Sequence, residues 1–557
     1  MSAAIGMWRY RGPEPLGMSA PADRPSAARM RKTLIALLGN PPQVHTTGTE
    51  SGEQFLQRLE DHIGDLGFQS HRIEIPWDPE GQMRHPKGQV QFLPPDAVLK
   101  NLLVTVDGKS PDLAPILVAT HHDSCRWGPG AGDAGSAVVA LIEHLRILSR
   151  DPPNRTTHYL FTDGEEYGLL GAYALAAQET MPFRAPVFVL NFDARGTSGG
   201  VPMFETHSNN QAWVDVLINH LAPPKITSSL AVTVYRTLPN ATDFNVWNGQ
   251  WALPGFNYAT ISGAHRYHTV DDRPEIVSDR TLQHMGDQLE SMHRAIDSLD
   301  AQAIGDLTVQ SANDAERNAV FFDLYGITVI HFSELLQKIM ALVSFVALCI
   351  VWFWPRKSGH IRLFITYVIC IGISIATGFG VGWISKGILL TTPWRTSRYT
   401  PVDQPAGLIT LAVAFLVTTV LLEKFGGLRL RRHESPHRLT DLNWIGSTAL
   451  GVLLAFLLPG GAYLLVVPGC VYAMVRVATR RPTWAAWCGM IAMAALVGPL
   501  LTLLVQALGP WQQPLYGIVS GLIALTTMTV WCVEKEGEIR GDDRANAPFP
   551  NPNESVL

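Results

Sequence analysis

Several apolar runs in the first half of this chain stop at a side chain able to bind a metal, and that coincidence restricts the fold more than any other feature. Ile116-Leu117-Val118-Ala119-Thr120 leads into His121-His122-Asp123, and His158-Tyr159-Leu160-Phe161 leads into Asp163-Gly164-Glu165-Glu166. Val187-Phe188-Val189-Leu190-Asn191-Phe192 ends at Asp193, and Gly255-Phe256-Asn257-Tyr258-Ala259-Thr260-Ile261 precedes Tyr267-His268-Thr269. Such runs read as buried parallel strands, and open α/β sheets build their sites at strand ends. Asp133 lies in Gly130-Ala131-Gly132-Asp133, a stretch flexible enough for backbone to approach a site closely, followed by the helical run Ala137 to Leu148.

Each residue also has a plainer reading. Adjacent side chains on a strand face opposite ways, so only one of His121 and His122 can face a given site. Asp123 shares a face with His121 if the strand geometry persists, and a carboxylate there can orient the imidazole; His121 is therefore the expected ligand. Taken alone, His121-His122-Asp123 reads more readily as a polar loop after a strand than as a site. Glu165-Glu166 fits a solvated turn opening a helix from Leu169 to Ala177, where carboxylates favour the helix dipole. Asp193 fits a turn or cap residue, and His265 competes with His268. Arg195, Glu205 and Asp243 are candidates for shaping a cleft, with structural ion pairs as the alternative.

The pattern as a whole resembles the M28 family of zinc peptidases, specifically its membrane-bound branch of vacuolar and endoplasmic-reticulum proteases. The resemblance runs from Arg29 to Leu299. It rests on His121-x-Asp123, Gly130-Ala131-Gly132-Asp133, Asp163-Gly164-Glu165-Glu166-x-Gly168-Leu169-Leu170-Gly171, Asn191-Phe192-Asp193-Ala194-Arg195-Gly196 and Tyr267-His268-Thr269. Phe204-Glu205-Thr206 and Leu238-Pro239-Asn240-Ala241-Thr242-Asp243-Phe244 are similar to that branch as well. The resemblance implies a mixed, largely parallel sheet flanked by helices. It also implies a pair of zinc ions bridged by Asp133, with His121 and Asp193 completing one site and Glu166 and His268 the other. Glu165 would be the general base and Asp123 the support of His121. The adjacent glutamates alone leave open which binds metal. Nitrogen and oxygen donors suit zinc, and paired metals can polarise a carbonyl and acidify a water.

The 557-residue chain is too long for one core, and its 47 % hydrophobic content is concentrated after Leu335. Apolar spans cover Ile339 to Trp354, Leu363 to Ile384, Gly407 to Leu422, Leu442 to Leu458, Ala462 to Val475, Ala485 to Leu508 and Leu515 to Val533, against about 20 residues per bilayer crossing. The expected architecture is an α/β domain followed by an all-α polytopic transmembrane domain of about seven helices. Pro459-Gly460-Gly461 is either the turn of a helical hairpin or a break in one long span. Basic residues gather at Arg356-Lys357 and Arg362, at Lys424 to Arg438, and at Arg476 with Arg480-Arg481. With seven crossings these loops share one side, the cytoplasmic one, so the peptidase-like domain is expected outside, periplasmic or lumenal. Lys386, Arg395 and Arg398 fall in an outside loop and oppose that assignment.

The expected boundaries are a disordered tail over 1–28, the peptidase-like domain over 29–299, a polar connector over 300–335 with strand character at Ile327 to Ile330, the membrane domain over 336–534 and a polar tail over 535–557. Thr33 to Leu38 is the one apolar run before Asn40 and is too short for a signal-peptide core, so no export signal is expected. Cys125 precedes the membrane spans by itself and reads as a small buried thiol, and an internal disulfide in the first domain is excluded. A net charge of −5 without a basic stripe argues against nucleic-acid binding. Few ionisable residues fall within the spans, which favours anchoring over ion transport, with substrate gating left open.

The expected partners are a peptide substrate and the lipid bilayer. The leading expectation is a membrane-anchored dizinc aminopeptidase. The alternatives are another M28-type activity, carboxypeptidase or glutaminyl cyclase, and a non-catalytic scaffold that lacks ligands; here all the ligand positions are filled.

Overall fold

The computed structural model describes residues 2–78, 93, 97–238, 240–313, 317–353, 360–391, 403–430, 436–508, 513 and 516–526. Helices α1 (Ser2–Arg9), α2 (Ala27–Leu38) and α3 (Glu50–Asp65) precede strands β1 (Ser70–Pro76) and β2 (Val98–Val106). There follow β3 (Ile116–His121), α4 (Ala137–Leu148), β4 (Thr157–Thr162), α5 (Leu170–Ala176), β5 (Phe188–Ala194), β6 (Met203–Thr206) and α6 (Gln211–Leu217). Helices α7 (Ser229–Thr237) and α8 (Phe244–Gln250), strand β7 (Gly255–Thr260) and helix α9 (Asp279–Asp297) complete this half.

The seven strands form one sheet in the order β1-β2-β4-β3-β5-β7-β6. β4, β3, β5 and β7 are parallel, while β1, β2 and β6 add antiparallel edges, so the sheet is mixed, as expected. Every residue of β3, β4, β5 and β7 is buried, because helices cover both faces and leave no solvated side to select polar residues. On one face α9 lays down Leu282, Met285, Leu289, Met292 and Ile296 at helical spacing, beside α2 and α4. On the other face α5 and α8 enclose a second core containing Phe244 and Trp247. From β3 the chain crosses to β4 on one side and then returns to β5 on the other, which makes the carboxyl end of β3 a topological switch point where a crevice opens.

The tail expected to be disordered over 1–28 is ordered from residue 2 onward. α1 packs along a membrane helix, Tyr10 Oη donates to Asp323 at 2.5 Å, and Ser26 N donates to Glu143 at 3.1 Å while its hydroxyl caps α2. Apart from the local cap, these partners are distant in sequence, which is why local composition misses them. The connector is likewise more than polar coil. It contains α10 (Ala301–Asn313) and an antiparallel hairpin, β8 (Ala319–Leu324) with β9 (Thr328–Ser333).

Beyond it stand α11 (Glu334–Phe353), α12 (His360–Thr391), α13 (Asp403–Leu430), α14 (Pro436–Leu457), α15 (Pro459–Thr479) and α16 (Pro482–Leu508). Among the described residues five helical stretches are long and apolar enough to cross a bilayer, within α11, α12, α14, α15 and α16; Ile409–Leu422 and Tyr516–Thr526 are shorter apolar helices. Leu342, Val346 and Ile350 on α11 and Leu453 and Phe456 on α14 are exposed, as a lipid-facing surface requires. The ambiguity at Pro459 resolves as a helical hairpin. Arg476 pairs with Asp441 at 2.8 Å, Tyr472 stacks on Trp444 at 4.8 Å, and Gly469 and Gly451 lie against Thr448 and Val466, so the two helices run antiparallel. The 535–557 tail and the loops holding Arg356, Arg395 and Arg431 lie outside the described residues.

Phe188, fully buried in β5, meets Trp213 at 4.7 Å and Phe256 at 5.2 Å. Phe188→Ala should destabilise the α/β half by about 3–5 kcal/mol, read as a lower urea midpoint of the purified protein. An unchanged midpoint would contradict this packing.

Candidate metal centre

His121, the last residue of β3, aims Nε2 at Asp133 Oδ1 (3.2 Å) and Asp193 Oδ1 (3.6 Å). His268 aims its Nε2 at the other Asp133 oxygen, Oδ2 (3.1 Å), and at Glu166 Oε2 (2.7 Å). The two carboxylate oxygens of Asp133 are thus divided between two imidazoles that lie far apart in sequence. His121, Asp133 and Asp193 present donor atoms within 4.8 Å of one another, and so do Cys125, Glu166 and His268.

Local structure explains each placement. Extension of β3 turns His122 away, and its Nε2 contacts the Lys100 carbonyl at 2.9 Å. Asp133 sits in an irregular turn at φ −109°, ψ 96°, ahead of α4. That turn lies so close to its neighbours that a Cβ on Gly132 would stand 2.7 Å from the Gly196 carbonyl and 2.9 Å from Asp272. Glu165 and Glu166 ride in the turn between β4 and α5, before the helix begins, and so do not serve as its first-turn carboxylates. His268 holds a left-handed φ of 57°, the kind of backbone strain that persists when surrounding contacts over-determine a residue. Its ring stacks on Tyr267 at 3.7 Å.

Supporting contacts differ in part from expectation. His121 Nδ1 is 3.0 Å from the Asp123 carbonyl oxygen and 3.5 Å from its carboxylate, so the main chain is the nearer orienting group. The Asp123 carboxylate instead accepts the backbone N–H groups of Glu165 (3.1 Å) and Glu166 (3.3 Å), fixing the turn that carries both. Asp272 does the same for the Asp133 turn, accepting Gly132 N–H (2.6 Å) and Asp133 N–H (3.2 Å). Sequence reasoning assigned no role to Asp272; its position four residues after His268 was the available signal. Glu205 accepts from Asn257 at 2.8 Å and Asp243 from the Thr162 hydroxyl, while Arg195 lines the cavity beside Asp193. Cys125 is buried, as expected, and burial pushes its thiol pKa up, yet it also belongs to the second donor group.

Electrostatics point to a cation. Burial pushes the carboxyl pKa values of Glu165 and Asp193 up and that of Glu166 to about 8, and neighbouring carboxylates reinforce this. Burial opposes protonation of His268, but Glu166 and Asp133 outweigh it and raise the imidazole to about 10; the two imidazoles in turn hold Asp133 well below the usual carboxylate range. Such a cluster is stable only with protons or metal among its oxygens, since removing several carboxylates from water costs several kcal/mol each. Glu166 Oε1 is buried and has no hydrogen-bond partner among the described residues, as suits an oxygen reserved for a metal. Nitrogen and carboxylate donors in two groups fit zinc.

Asp272→Ala should lower metal affinity about 10–100-fold without removing a donor atom, measured by chelator competition. His265→Ala, outside both donor groups, should leave affinity unchanged.

Residues 101–292 match the profile of peptidase family M28. The vacuolar membrane protease of Lachancea thermotolerans is 28 % identical over 231 residues, covering 41 % of this chain and 22 % of that protein. Endoplasmic reticulum metallopeptidase 1 of Mus musculus is 25 % identical over 246 residues, covering 43 % and 26 %. The chain therefore spans about a quarter of the length of these relatives. Among solved structures, a Zn-dependent exopeptidase from Parabacteroides distasonis is 15 % identical with a TM-score of 0.39, covering 49 % of this chain and 99 % of that one. A glutaminyl cyclase from Porphyromonas gingivalis is 17 % identical with a TM-score of 0.38, covering 50 % and 99 %. The chain carries a peptidase family M28 domain over residues 101–292, and its likeness is to the membrane-bound branch of that family.

Proposed function

We propose that this protein is a membrane-anchored metallopeptidase that holds a pair of zinc ions and removes residues from peptide N-termini. The observation that carries the reading is Asp133, whose two oxygens face His121 and His268 separately. His121, Asp133 and Asp193 would hold one ion, and Asp133, Glu166 and His268 the other. When bound, paired zinc supplies carbonyl polarisation and a water whose pKa falls to about 7.

Glu165 is left over from the ligand set, lines the same cavity as Asp133 and Asp193, and has its proton affinity raised by burial. A base of this kind takes the proton of the attacking water at a carboxylate oxygen and returns it to the leaving amine nitrogen. Asp123 holds Glu165 in place through the backbone and does not itself move a proton. Glu205 and Asp243 support a free N-terminus: they lie near Asp193 and outside both donor groups, burial raises both carboxyls to about 7, and in their ionised form they favour an ammonium over a terminal carboxylate. The likeness to membrane proteases and the apolar helices support a position in a lipid bilayer, and the grouping of basic residues in alternate loops of the sequence favours a peptidase domain on the non-cytoplasmic side.

Glu165→Gln should lower kcat by about 10²–10⁴-fold with zinc content retained. His121→Ala and His268→Ala should each lose zinc, and unchanged metal in both would overturn the assignment. Peptides with free N-termini should be shortened residue by residue and N-acetylated ones spared. Release from the carboxyl end, or cyclisation of an N-terminal glutamine in place of hydrolysis, would replace this reading.

A further inference from the structure

The cavity that begins at Asp133, Glu165 and Asp193 does not end within the peptidase domain. Its floor is apolar, formed by Leu230 and Val234 of α7 and by Ile261 beyond β7, and its far wall includes Leu500 and Leu503 of membrane helix α16. The cavity encloses about 150 Å³, room for one large apolar side chain.

The contact between the two halves is built. α7 packs on β6 and on α15. Ser229 Oγ donates to the Gly460 carbonyl at 2.8 Å, and the Ser228 and Tyr463 hydroxyls lie 2.9 Å apart. Phe322 of β8 stacks on Tyr463 at 4.5 Å. A Cβ on Gly460 would stand 2.2 Å from Thr233 Oγ1 and 2.7 Å from the Ser229 carbonyl, so only glycine lets α15 approach α7 this closely. Leu230 belongs to both environments, since it lines the cavity and packs against the cluster of Val320, Tyr463 and Leu496.

We infer that the membrane domain completes the substrate pocket, with Leu500 and Leu503 receiving the far end of a large apolar side chain next to the scissile bond. This rests on the reading of the site as a peptidase and goes beyond anchoring: the substrate is a peptide whose N-terminal residue is bulky and apolar. An apolar wall discriminates by side-chain size, and a methylene or two in such a pocket changes kcat/KM by about 10–200-fold. Without α16 the far end of a leucine or phenylalanine side chain would face solvent or lipid instead of a fitted surface.

The test uses the full-length protein in lipid nanodiscs with aminoacyl-aminomethylcoumarin substrates carrying Ala, Leu or Phe. The wild type should favour Leu and Phe over Ala. Leu500→Ala combined with Leu503→Ala should reduce that preference about 10-fold, and Leu503→Trp should suppress Leu and Phe more than Ala. An unchanged ratio in both variants, the result expected if a lipid chain fills the cavity, overturns the inference. Binding of leucine hydroxamate against alanine hydroxamate, followed by calorimetry, provides a readout independent of turnover. If the wild type holds zinc but cleaves none of the substrates, the peptidase reading fails. Tighter leucine hydroxamate binding that depends on Leu500 and Leu503 would then still support the pocket, and equal binding of the two hydroxamates would overturn it.

Discussion

Mutual repulsion among buried carboxylates is the constraint around which this domain is arranged. Asp133, Glu165, Glu166 and Asp193 meet in one crevice largely hidden from water, where like charges interact more strongly than at a surface. Two imidazoles are too few to balance them, and the groups that would repel one another are the donor types that a cation would satisfy. Asp123 and Asp272 serve differently from these four carboxylates. Each spends its carboxylate on a pair of backbone N–H groups and so fixes the turn that presents Glu165 and Glu166 or Asp133. The geometry of the centre is therefore held by main-chain hydrogen bonds from loops that would otherwise be free to separate.

The sheet makes this convergence possible. Parallel strands bring their carboxyl ends to one edge, and the reversal of connection order around β3 opens space at that edge. His121 arrives on β3, Asp193 on β5, and the two glutamates on the turn after β4. His268 comes from the loop after β7, at the cost of a left-handed backbone. The antiparallel strands β1, β2 and β6 contribute no donor atom to either group; they widen the sheet so that both faces can be covered.

Much of this was legible before any coordinates. Fully buried parallel strands leave continuous apolar runs, and ligand-type side chains at their ends stand out against such runs; the convergence of His121, Asp193 and the Glu165-Glu166 pair could be anticipated that way. The choice of His121 over His122 followed from strand alternation together with the carboxylate of Asp123 two residues on. Other features were hidden because their causes are not local. Asp272 matters through N–H groups 139 and 140 residues away. The ordered N-terminus depends on Glu143 and Asp323, and nothing in residues 1–28 announces either contact. The orienting role of the Asp123 carbonyl over its carboxylate turns on half an ångström, a difference no residue spacing encodes.

The junction between the halves shows the same dependence on distant partners. β9 runs directly into α11, so the hairpin of β8 and β9 is covalently part of the membrane domain's entrance while β8 lies against α7 and α15. Aromatic stacking of Phe322 on Tyr463 and the hydroxyl contacts of Ser228 and Ser229 then tie α7 to the membrane helices at points close to the crevice. Through its other face α7 borders the cavity that ends at Asp133 and Glu165. A shift of α15 or α16 in the bilayer would therefore move a wall of the cavity directly, because close-packed interiors transmit displacement and do not absorb it. The membrane half is in this sense continuous with the site, and the long C-terminal helices set the shape of a pocket whose chemistry comes entirely from the first half of the chain.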